Sequence, residues 1–402
     1  MRRPFIILLA LAALSTSCLK EDSLNNRAET TGKEALASKL VGNVTESGAA
    51  SSVLIFIDGT IDAISAAQPD QSLSFEPVFR NATTESAVRH NLHNWYKVTF
   101  DESLTASDVA ARLAELDAVR KIQFNTEVKQ ERSEMMPYEG VMTRSGNGGT
   151  SFDDPFFDEQ WNLHNDGSIA STAVAGADIA VKDAWAICAG SPDIIVAIVD
   201  SGISTIHEDL KDCMWVNEAE KNGERGVDDD GNGFIDDLYG FNFVQCTQIN
   251  NDLTEDKLTN GTPVSGIKGK GLDFYTGMGH GTHVVGIACA GGNINKKYYG
   301  VAPESSIIMV KANRGNFTLS TALMRGIKFL VDKSKELDMP LVINISMSTN
   351  DGAHNGSSLL EKYISLVAQL NRVTIVIAAG NEGAALHHAS GKLEKENYID
   401  FR

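Results

Sequence analysis

The chain has 402 residues, 42% of them apolar, which is enough for two domains and a sizeable hydrophobic core. Its 53 Asp and Glu residues outnumber its 35 Lys and Arg residues, so its formal net charge is −18. A surface this acidic argues against non-specific binding to nucleic acid or to an anionic membrane surface, and we expect no nucleic-acid partner.

The beginning of the chain has the pattern of a bacterial export signal. Arg2 and Arg3 precede an apolar run from Phe5 to Leu14. As a helix this run would span about 15 Å, too short for a bilayer core of about 30 Å, so a cleaved signal peptide is favoured over a membrane span. Small residues lead up to Cys18, as in the lipoprotein box of bacterial lipoproteins, and the following "LKEDS" resembles the export signal of Bacteroidetes surface lipoproteins.

We therefore expect residues 1–18 to end in a lipidated Cys18 that anchors the protein to a membrane. The expected location is the outer membrane, facing the cell surface or the periplasm. Ordinary secretion with an incidental Cys18 is the alternative.

Composition divides the rest of the chain into four segments. They are a polar tether (19–48), a small α+β domain (49–132), a linker rich in Gly, Ser and Pro (133–152) and a larger α/β domain (153–402). In the small domain, strands are predicted over 51–58, 94–101 and 119–130. A helix is predicted over 105–116, with Thr105 or Ser107 as its cap.

In the larger domain, continuous apolar runs alternate with helices. The runs 193–200, 305–312, 340–347 and 373–380 predict parallel strands that are buried on both faces. Two helices lie between them: one carries an apolar stripe at 323, 327 and 330, and the other has capping-box spacing from Ser358 to Glu361. This order predicts an α/β sheet with right-handed crossovers, whose functional residues lie just beyond the carboxyl ends of strands.

Three candidate catalytic residues occupy such positions. Asp200 ends the first strand, His280 opens a helix, and Asn381 follows the fourth strand. A buried Asp can fix the tautomer of a His that acts as general base, and a side-chain amide can donate to an oxyanion. Each residue alone also has a structural interpretation, as a helix cap, a structural histidine or a turn. Their joint arrangement favours catalysis.

The motifs "IVDSGI", "HGTHVVGI", "VINISMS" and "AAGNEG" occur in this order and resemble those of subtilisin-like serine peptidases, over about 250 residues from 154 onward. The resemblance implies a subtilisin-like parallel sheet with flanking helices and hydrolysis of polypeptide substrates through an Asp/His/Ser triad, with no cofactor for catalysis. It implies that Asp200 orients His280, that Asn381 is the oxyanion donor, and that His283 is a second, non-catalytic histidine. It also implies a set of substrate-binding residues, namely Ser346, Met347, Ser348, Ala379 and Gly380.

The nucleophile of that family does not appear in this sequence. It belongs to a Gly-Thr-Ser-Met-Ala type of motif well beyond the Asn, but after Asn381 the only serine is Ser390, in "HASGKLE". The similar Gly149-Thr150-Ser151 precedes Asp200, where the family has no nucleophile. We therefore expect an inactive, C-terminally truncated chain.

Two alternatives to truncation are a pseudo-enzyme that binds peptides and an N-terminal module that binds or inhibits proteases. By position, the small domain resembles the inhibitory propeptide of the family. A plain accessory domain is the alternative for that segment.

The acidic segment "GVDDDGNGFIDDLYGFNF" (226–243) alternates carboxylates and amides as an oxygen-rich calcium loop does. Tyr239 stands where an EF-hand has its glutamate, so the loop is not an EF-hand. A structural calcium ion and a solvated acidic turn are both consistent with it. The predicted ligands are Asp228, Asp230, Asn232, Asp236 and Asp237.

The four remaining cysteines, Cys188, Cys213, Cys246 and Cys289, form no CxxC pair, so no zinc site is expected. The sequence leaves their pairing and the oligomeric state open.

Overall fold

A computed structural model of the protein describes residues 34–41, 52–67, 72–79, 88–130, 157–244, 279–292, 298–312, 317–349 and 354–381. Contacts divide the chain into two units. The smaller comprises Met1–Pro77 and Ala82–Phe124, and the larger comprises Val78–Asn81 and Asn125–Arg402. Among the described residues, no helix is both long and apolar enough to span a membrane.

The described part of the smaller unit contains a four-stranded antiparallel sheet, two helices named below and a short helical segment at 34–39. Its strands are β1 (Ser52–Ile57), β2 (Leu73–Pro77), β3 (Trp95–Phe100) and β4 (Val119–Phe124), in the order β2-β3-β1-β4. Its helices are α1 (Ile61–Ala67) and α2 (Ala106–Ala114). Alternate residues of β1 share one apolar cluster with Val109 and Leu113 of α2, as the two-residue and helical spacings require. Thr105 caps α2 by accepting a hydrogen bond from the amide of Asp108.

Two features of this part of the chain differ from the sequence-based expectation. Residues 34–39, inside the predicted tether, are helical, and Leu40 bridges to Ile122 of β4. The predicted single strand 119–130 is two strands, β4 and β5 (Glu127–Gln130), and β5 belongs to the larger unit. The chain changes units at Asn125, whose buried side chain forms hydrogen bonds with Ser320 and Thr321.

The larger unit contains a parallel sheet flanked by helices, which confirms the predicted fold class. Its strands are β6 (Ile195–Asp200), β7 (Gly240–Asn242), β8 (Ser306–Lys311), β10 (Leu341–Ile345) and β12 (Val373–Ile377), in the order β12-β10-β6-β8-β7. The helices are α3 (Val181–Trp185), α4 (Glu218–Asn222), α5 (His280–Cys289), α6 (Ser320–Glu336) and α7 (Leu359–Val367). The predicted capping box of α7 is present: Ser358 accepts from the Glu361 amide, and the Glu361 carboxylate accepts from the Ser358 amide.

The prediction of burial on both faces is wrong for β12. Val376 is 49% exposed and Ile377 is 46% exposed. Within the part of the chain that the structure describes, β12 is an edge strand, hydrogen-bonded to β10 on one side. The apolar run correctly predicted a strand here. Whether the strand is buried depends on which other elements of the fold cover it, and the run contains no information about that.

A second, three-stranded antiparallel sheet completes the described larger unit. It consists of β11 (Met347–Ser348), β5 and β9 (Phe317–Leu319), with β5 in the middle. This sheet brings a segment from the N-terminal third of the chain beside the predicted substrate-binding residues.

Candidate active site

Asp200 and His280 are in direct contact. Asp200 is the last residue of β6 and is fully buried, and His280 is the first residue of α5. The His280 Nδ1 lies 2.8 Å from Oδ1 and 3.0 Å from Oδ2 of Asp200. The amide of Ser201 also donates to Asp200 Oδ1, at 2.7 Å. The Asp200 carboxylate is thus fixed by a backbone hydrogen bond while it also contacts the His280 imidazole.

Gly281 makes this close approach possible. A Cβ at this position would lie 2.1 Å from the carbonyl oxygen of Gly202 and 3.2 Å from Asp200 Oδ1. The Gly281 amide donates to Ser201 Oγ at 3.2 Å, which joins the start of α5 to the residue after β6. The sequence analysis did not assign this glycine a role, although its place directly after the candidate base was a usable signal.

The second histidine of the motif, His283, lies one turn along α5. Partial burial of its ring lowers its pKa, and the nearby His280 lowers it further.

Asn381 lies at the same edge of the sheet, four residues after the end of β12. Strands β6, β10 and β12 are parallel neighbours, so their carboxyl ends point the same way. Two strand spacings place the ends of β6 and β12 about 10 Å apart. Ala379, Gly380 and Asn381 are exposed there, and Gly380 has a φ of +92°, which turns the chain after the strand.

The predicted substrate segment is paired with another part of the same chain. Met347 pairs with Gln130, and Ser348 pairs with Lys129, both antiparallel. On its other edge β5 pairs with β9, with Val128 opposite Thr318. Ser346, the first residue of the segment, accepts a hydrogen bond from Asn344 at Oγ. An extended strand of the chain thus pairs with two of the predicted substrate-binding residues, and the side chain of Val128 in that strand is buried.

Asn125, two residues before β5, caps the start of α6. The first turn of α6 has no side-chain cap of its own at Leu319. Instead Asn125 Oδ1 accepts from Ser320 Oγ at 3.0 Å and from the Thr321 amide at 3.4 Å, while its Nδ2 donates to Thr321 Oγ1 at 3.1 Å. The sequence analysis missed this role, because the partner residues are about 195 positions apart.

The acidic loop brings together part of the predicted calcium site. Carboxylate oxygens of Glu220, Asp228 and Asp230 lie within 4.8 Å of one another. Sequence reasoning named the two aspartates and missed Glu220, which comes from α4. A cluster of carboxylate oxygens suits a hard cation such as calcium, and these three residues would supply part of its six to eight ligands.

Glu220 and all the predicted ligands also have protein partners: Glu220 Oε1 accepts from the Asp229 amide at 2.8 Å, and Asp228 Oδ2 accepts from the Gly233 amide at 2.8 Å. The Asp236 carboxylate accepts from the Gly226 amide at 3.0 Å, and Asn232 Nδ2 donates to Asp230 and Asp237. Asp237 is fully buried and lies 3.4 Å from the Nζ of Lys333. Calcium binding stays a prediction, with Glu220 added to its ligands.

Burial raises the pKa of Asp237 to about 7, although the Lys333 charge and the Asn217 amide favour its ionised form. Burial alone would lower the pKa of Lys333, but the carboxylates of Asp237 and Asp230 raise it above its usual value. Lys333 is therefore a charged, buried lysine whose positive charge offsets the negative charge of Asp230 and Asp237 in the acidic loop.

Several predicted positions lie outside the described residues, namely Cys18, Ser151, Cys246 and Ser390. Cys188, Cys213 and Cys289 are free thiols.

Comparison with known proteins places this geometry in a family. The profile described as Peptidase S8, subtilase family, matches residues 191–398, just over half of the chain. Subtilisin-like protease 1 of Plasmodium falciparum is 39% identical over 117 residues, which are 29% of this chain and 14% of that protein. Thermitase of Thermoactinomyces vulgaris is 28% identical over 221 residues, which are 54% of this chain and 58% of thermitase.

Among solved structures, the CspB protease of Clostridium perfringens is 38% identical with a TM-score of 0.34, covering 52% of this chain and 40% of that one. The chain thus spans less than two thirds of each of these proteins. Because the subtilase profile spans the strand that ends in Asp200, the helix that opens with His280 and the strand before Asn381, the chain belongs to the subtilase family of serine peptidases.

Proposed function

We propose that this chain carries the acid–base part of a serine endopeptidase site for polypeptide substrates. The contact between Asp200 and His280 is the observation that supports this most directly. Asp200 would hold the tautomer with a proton on Nδ1, so that Nε2 can accept the proton of an attacking serine hydroxyl. The imidazolium, stabilised by Asp200, would then pass that proton to the leaving amine. Water would repeat the sequence on the acyl-enzyme.

Asn381 would supply the side-chain donor for the oxyanion that forms when the serine attacks. Its place after β12, at the same sheet edge as Asp200, supports this role. A fixed amide donor at such a position stabilises charge that develops only in the transition state.

We infer that these 402 residues do not hydrolyse peptide bonds by themselves, because no Gly-Thr-Ser-Met-Ala type of motif follows Asn381. Purified chain should therefore not react with a serine-directed fluorophosphonate probe, whereas an intact subtilase run in parallel should. Labelling that disappears in His280→Ala would contradict this inference, since it would identify a serine activated by His280.

The DNA that follows codon 402 discriminates between a longer, active peptidase and a peptide-binding protein without activity. A Gly-Thr-Ser-Met-Ala-like segment in any reading frame there would support a longer, active peptidase. Unrelated sequence would favour a peptide-binding protein without hydrolysis.

Peptide binding is the second candidate function, and β5 is the observation that favours it. The strand Glu127–Gln130 lies between β11 and β9 in the manner of a bound peptide, which supports an inhibitory, propeptide-like role for the N-terminal region. A labelled peptide of sequence NTEVKQER should bind more tightly to the Val128→Pro variant, in which β5 pairs poorly, than to the unchanged chain. Equal binding to both proteins would contradict the proposal.

We also propose that the protein is exported and anchored through lipid on Cys18. The basic residues, the short apolar run and the small residues before Cys18 support this. In a bacterial host, radiolabelled palmitate should be incorporated into the chain but not into a Cys18→Ala variant. Equal labelling of both would contradict the proposal.

A further inference from the structure

We propose that Lys311, a buried lysine at the end of β8, acts through Asp200 and His280 as a positioning residue of the candidate active site. Its positive charge would favour an ionised Asp200 and a neutral His280, the state in which the pair can accept a proton. This role rests on the acid–base function proposed above. It is tested by proton binding to His280 and not by peptide hydrolysis, so the role of Lys311 and the peptidase activity can fail separately.

Lys311 lies beside Asp200 in the parallel sheet. It is the last residue of β8, and in the register of β6 and β8 it is the direct partner of Asp200. The amide of Ala312 donates to the Asp200 carbonyl oxygen at 2.8 Å, so the two strands stay paired to their ends. Neighbouring strands lie about 4.8 Å apart, and register partners in a parallel pair project from the same face of the sheet. The lysine and aspartate side chains therefore start side by side.

Both side chains leave the sheet on the face that α5 covers. Met309 and Ile198, two residues before Lys311 and Asp200 on their strands, pack in one apolar cluster with Val285 of α5. Because side chains alternate between the two faces of a strand, Lys311 and Asp200 continue this face.

The residue before Lys311 marks the opposite face. A Cβ at Gly326, on α6, would lie 2.6 Å from Cγ1 of Val310, so Val310 faces α6. Lys311 therefore lies on the other face, the one that also carries His280 at the start of α5.

Burial allows the charge of Lys311 to act on its neighbours. Lys311 is 3% exposed and Asp200 is fully buried, so little water screens the field between them. A nearby positive charge favours a carboxylate and disfavours an imidazolium. At a separation of about 8 Å and an effective dielectric constant of about 20–40, one unit charge displaces a neighbouring protonation equilibrium by about 1 pH unit. Lys311 should thus keep His280 neutral, as a general base must be, down to a lower pH.

Other titratable groups surround the pair and stay unchanged in the test. Helix α5 itself carries His283 and Cys289. Strands β7 and β10 carry none within Gly240–Asn242 and Leu341–Ile345. Loops that pack in the same apolar cluster as α5 add further groups, namely His207, Glu208, Asp209, Lys211, Asp212, Cys213, Tyr239 and Glu304. A difference between variants at position 311 therefore reports on Lys311.

The test follows the protonation of His280 in the full chain by NMR of isotope-labelled histidine side chains. The chain has nine histidines, so the His280 signals are assigned by their loss in His280→Asn. Lys311→Met should raise the pH midpoint of His280 protonation by at least about 0.5 units, whereas Lys311→Arg keeps the charge and should shift it by less than half as much. Lys335→Met, which removes an exposed lysine of α6, is the matched control and should shift it by less than about 0.2 units.

A smaller rise in Lys311→Met would overturn this role. So would a Lys311→Arg variant that shifts as far as Lys311→Met, since altered packing rather than lost charge would then be responsible. A measurement on the unchanged chain decides the matter if Lys311→Met does not fold. Because two interacting charges affect each other, the Cε signal of Lys311 should move at the pH at which His280 is protonated. A Lys311 signal that stays constant through that pH would overturn the role.

Discussion

Replacing Gly281 by alanine should separate the two candidate catalytic side chains. The new Cβ would lie 2.1 Å from the Gly202 carbonyl oxygen, a backbone atom that cannot rotate away. Either the start of α5 or the chain after β6 has to move, and His280 is the residue next to the substitution. Overpacking of this kind costs about 1–3 kcal/mol, and the better helix propensity of alanine offsets at most about 1 kcal/mol. We expect a net loss of about 1–2 kcal/mol in the free energy of unfolding.

The same helix offers a matched control. Gly286 also lies in α5, but a Cβ there would meet no atom within 4 Å. Gly286→Ala should therefore stabilise the protein by about 0.5–1 kcal/mol. Urea unfolding of both variants measures the free energies. Proton NMR of the imidazole Nδ1–H, which is shifted downfield when it is shared with a carboxylate, reports on the contact between His280 and Asp200.

The two variants should move in opposite directions, with the downfield proton lost or shifted only in Gly281→Ala. If Gly281→Ala were as stable as Gly286→Ala and kept that proton, the tight approach of α5 to β6 would not be what positions His280.

Three further predictions concern the acidic loop. Lys333→Met leaves the fully buried Asp237 and the partly buried Asp230 without their cation and should lower the free energy of urea unfolding by about 3–5 kcal/mol. Lys335→Met, at an exposed lysine of the same helix, should change it by less than about 0.5 kcal/mol. Burial raises the pKa of Asp237 from 3.8 to about 7, so the folded state holds this proton more tightly than the unfolded chain. The stabilisation of the folded state by this proton should be fully present below about pH 4 and lost as the pH rises through about 7. The Asp237→Asn variant should therefore show a smaller decline in the free energy of unfolding between pH 5 and 8 than the unchanged protein. Calcium should raise the melting temperature relative to EDTA, and Glu220→Gln should reduce the increase; a melting temperature indifferent to calcium would exclude the ion from this loop.

Part of the candidate site could be predicted from residue patterns, and part could not. The family resemblance predicted that Asp200 orients His280, and the two side chains are in contact because a parallel strand end and a helix start converge at one sheet edge. Asn381 could be assigned to the same edge, but its distance from the pair depends on β10 lying between the two strands. Glu220 could not be predicted as a partner of the acidic loop, since it comes from a separate helix and its type is common on protein surfaces.

Patterns in the sequence predicted most of the strands and helices around the site, the parallel α/β class and the subtilase motifs. These depend on local periodicity and short motifs, which are properties of neighbouring residues. The folded structure was needed to show that residues 119–130 divide at Asn125, that β5 lies between β9 and β11, and that β12 is exposed. It also shows that Phe79 is buried against Tyr363. Each of these features depends on which distant segment of the chain packs against the residues concerned. Contacts between residues far apart in the sequence stabilise that packing, and a local sequence pattern carries no information about them.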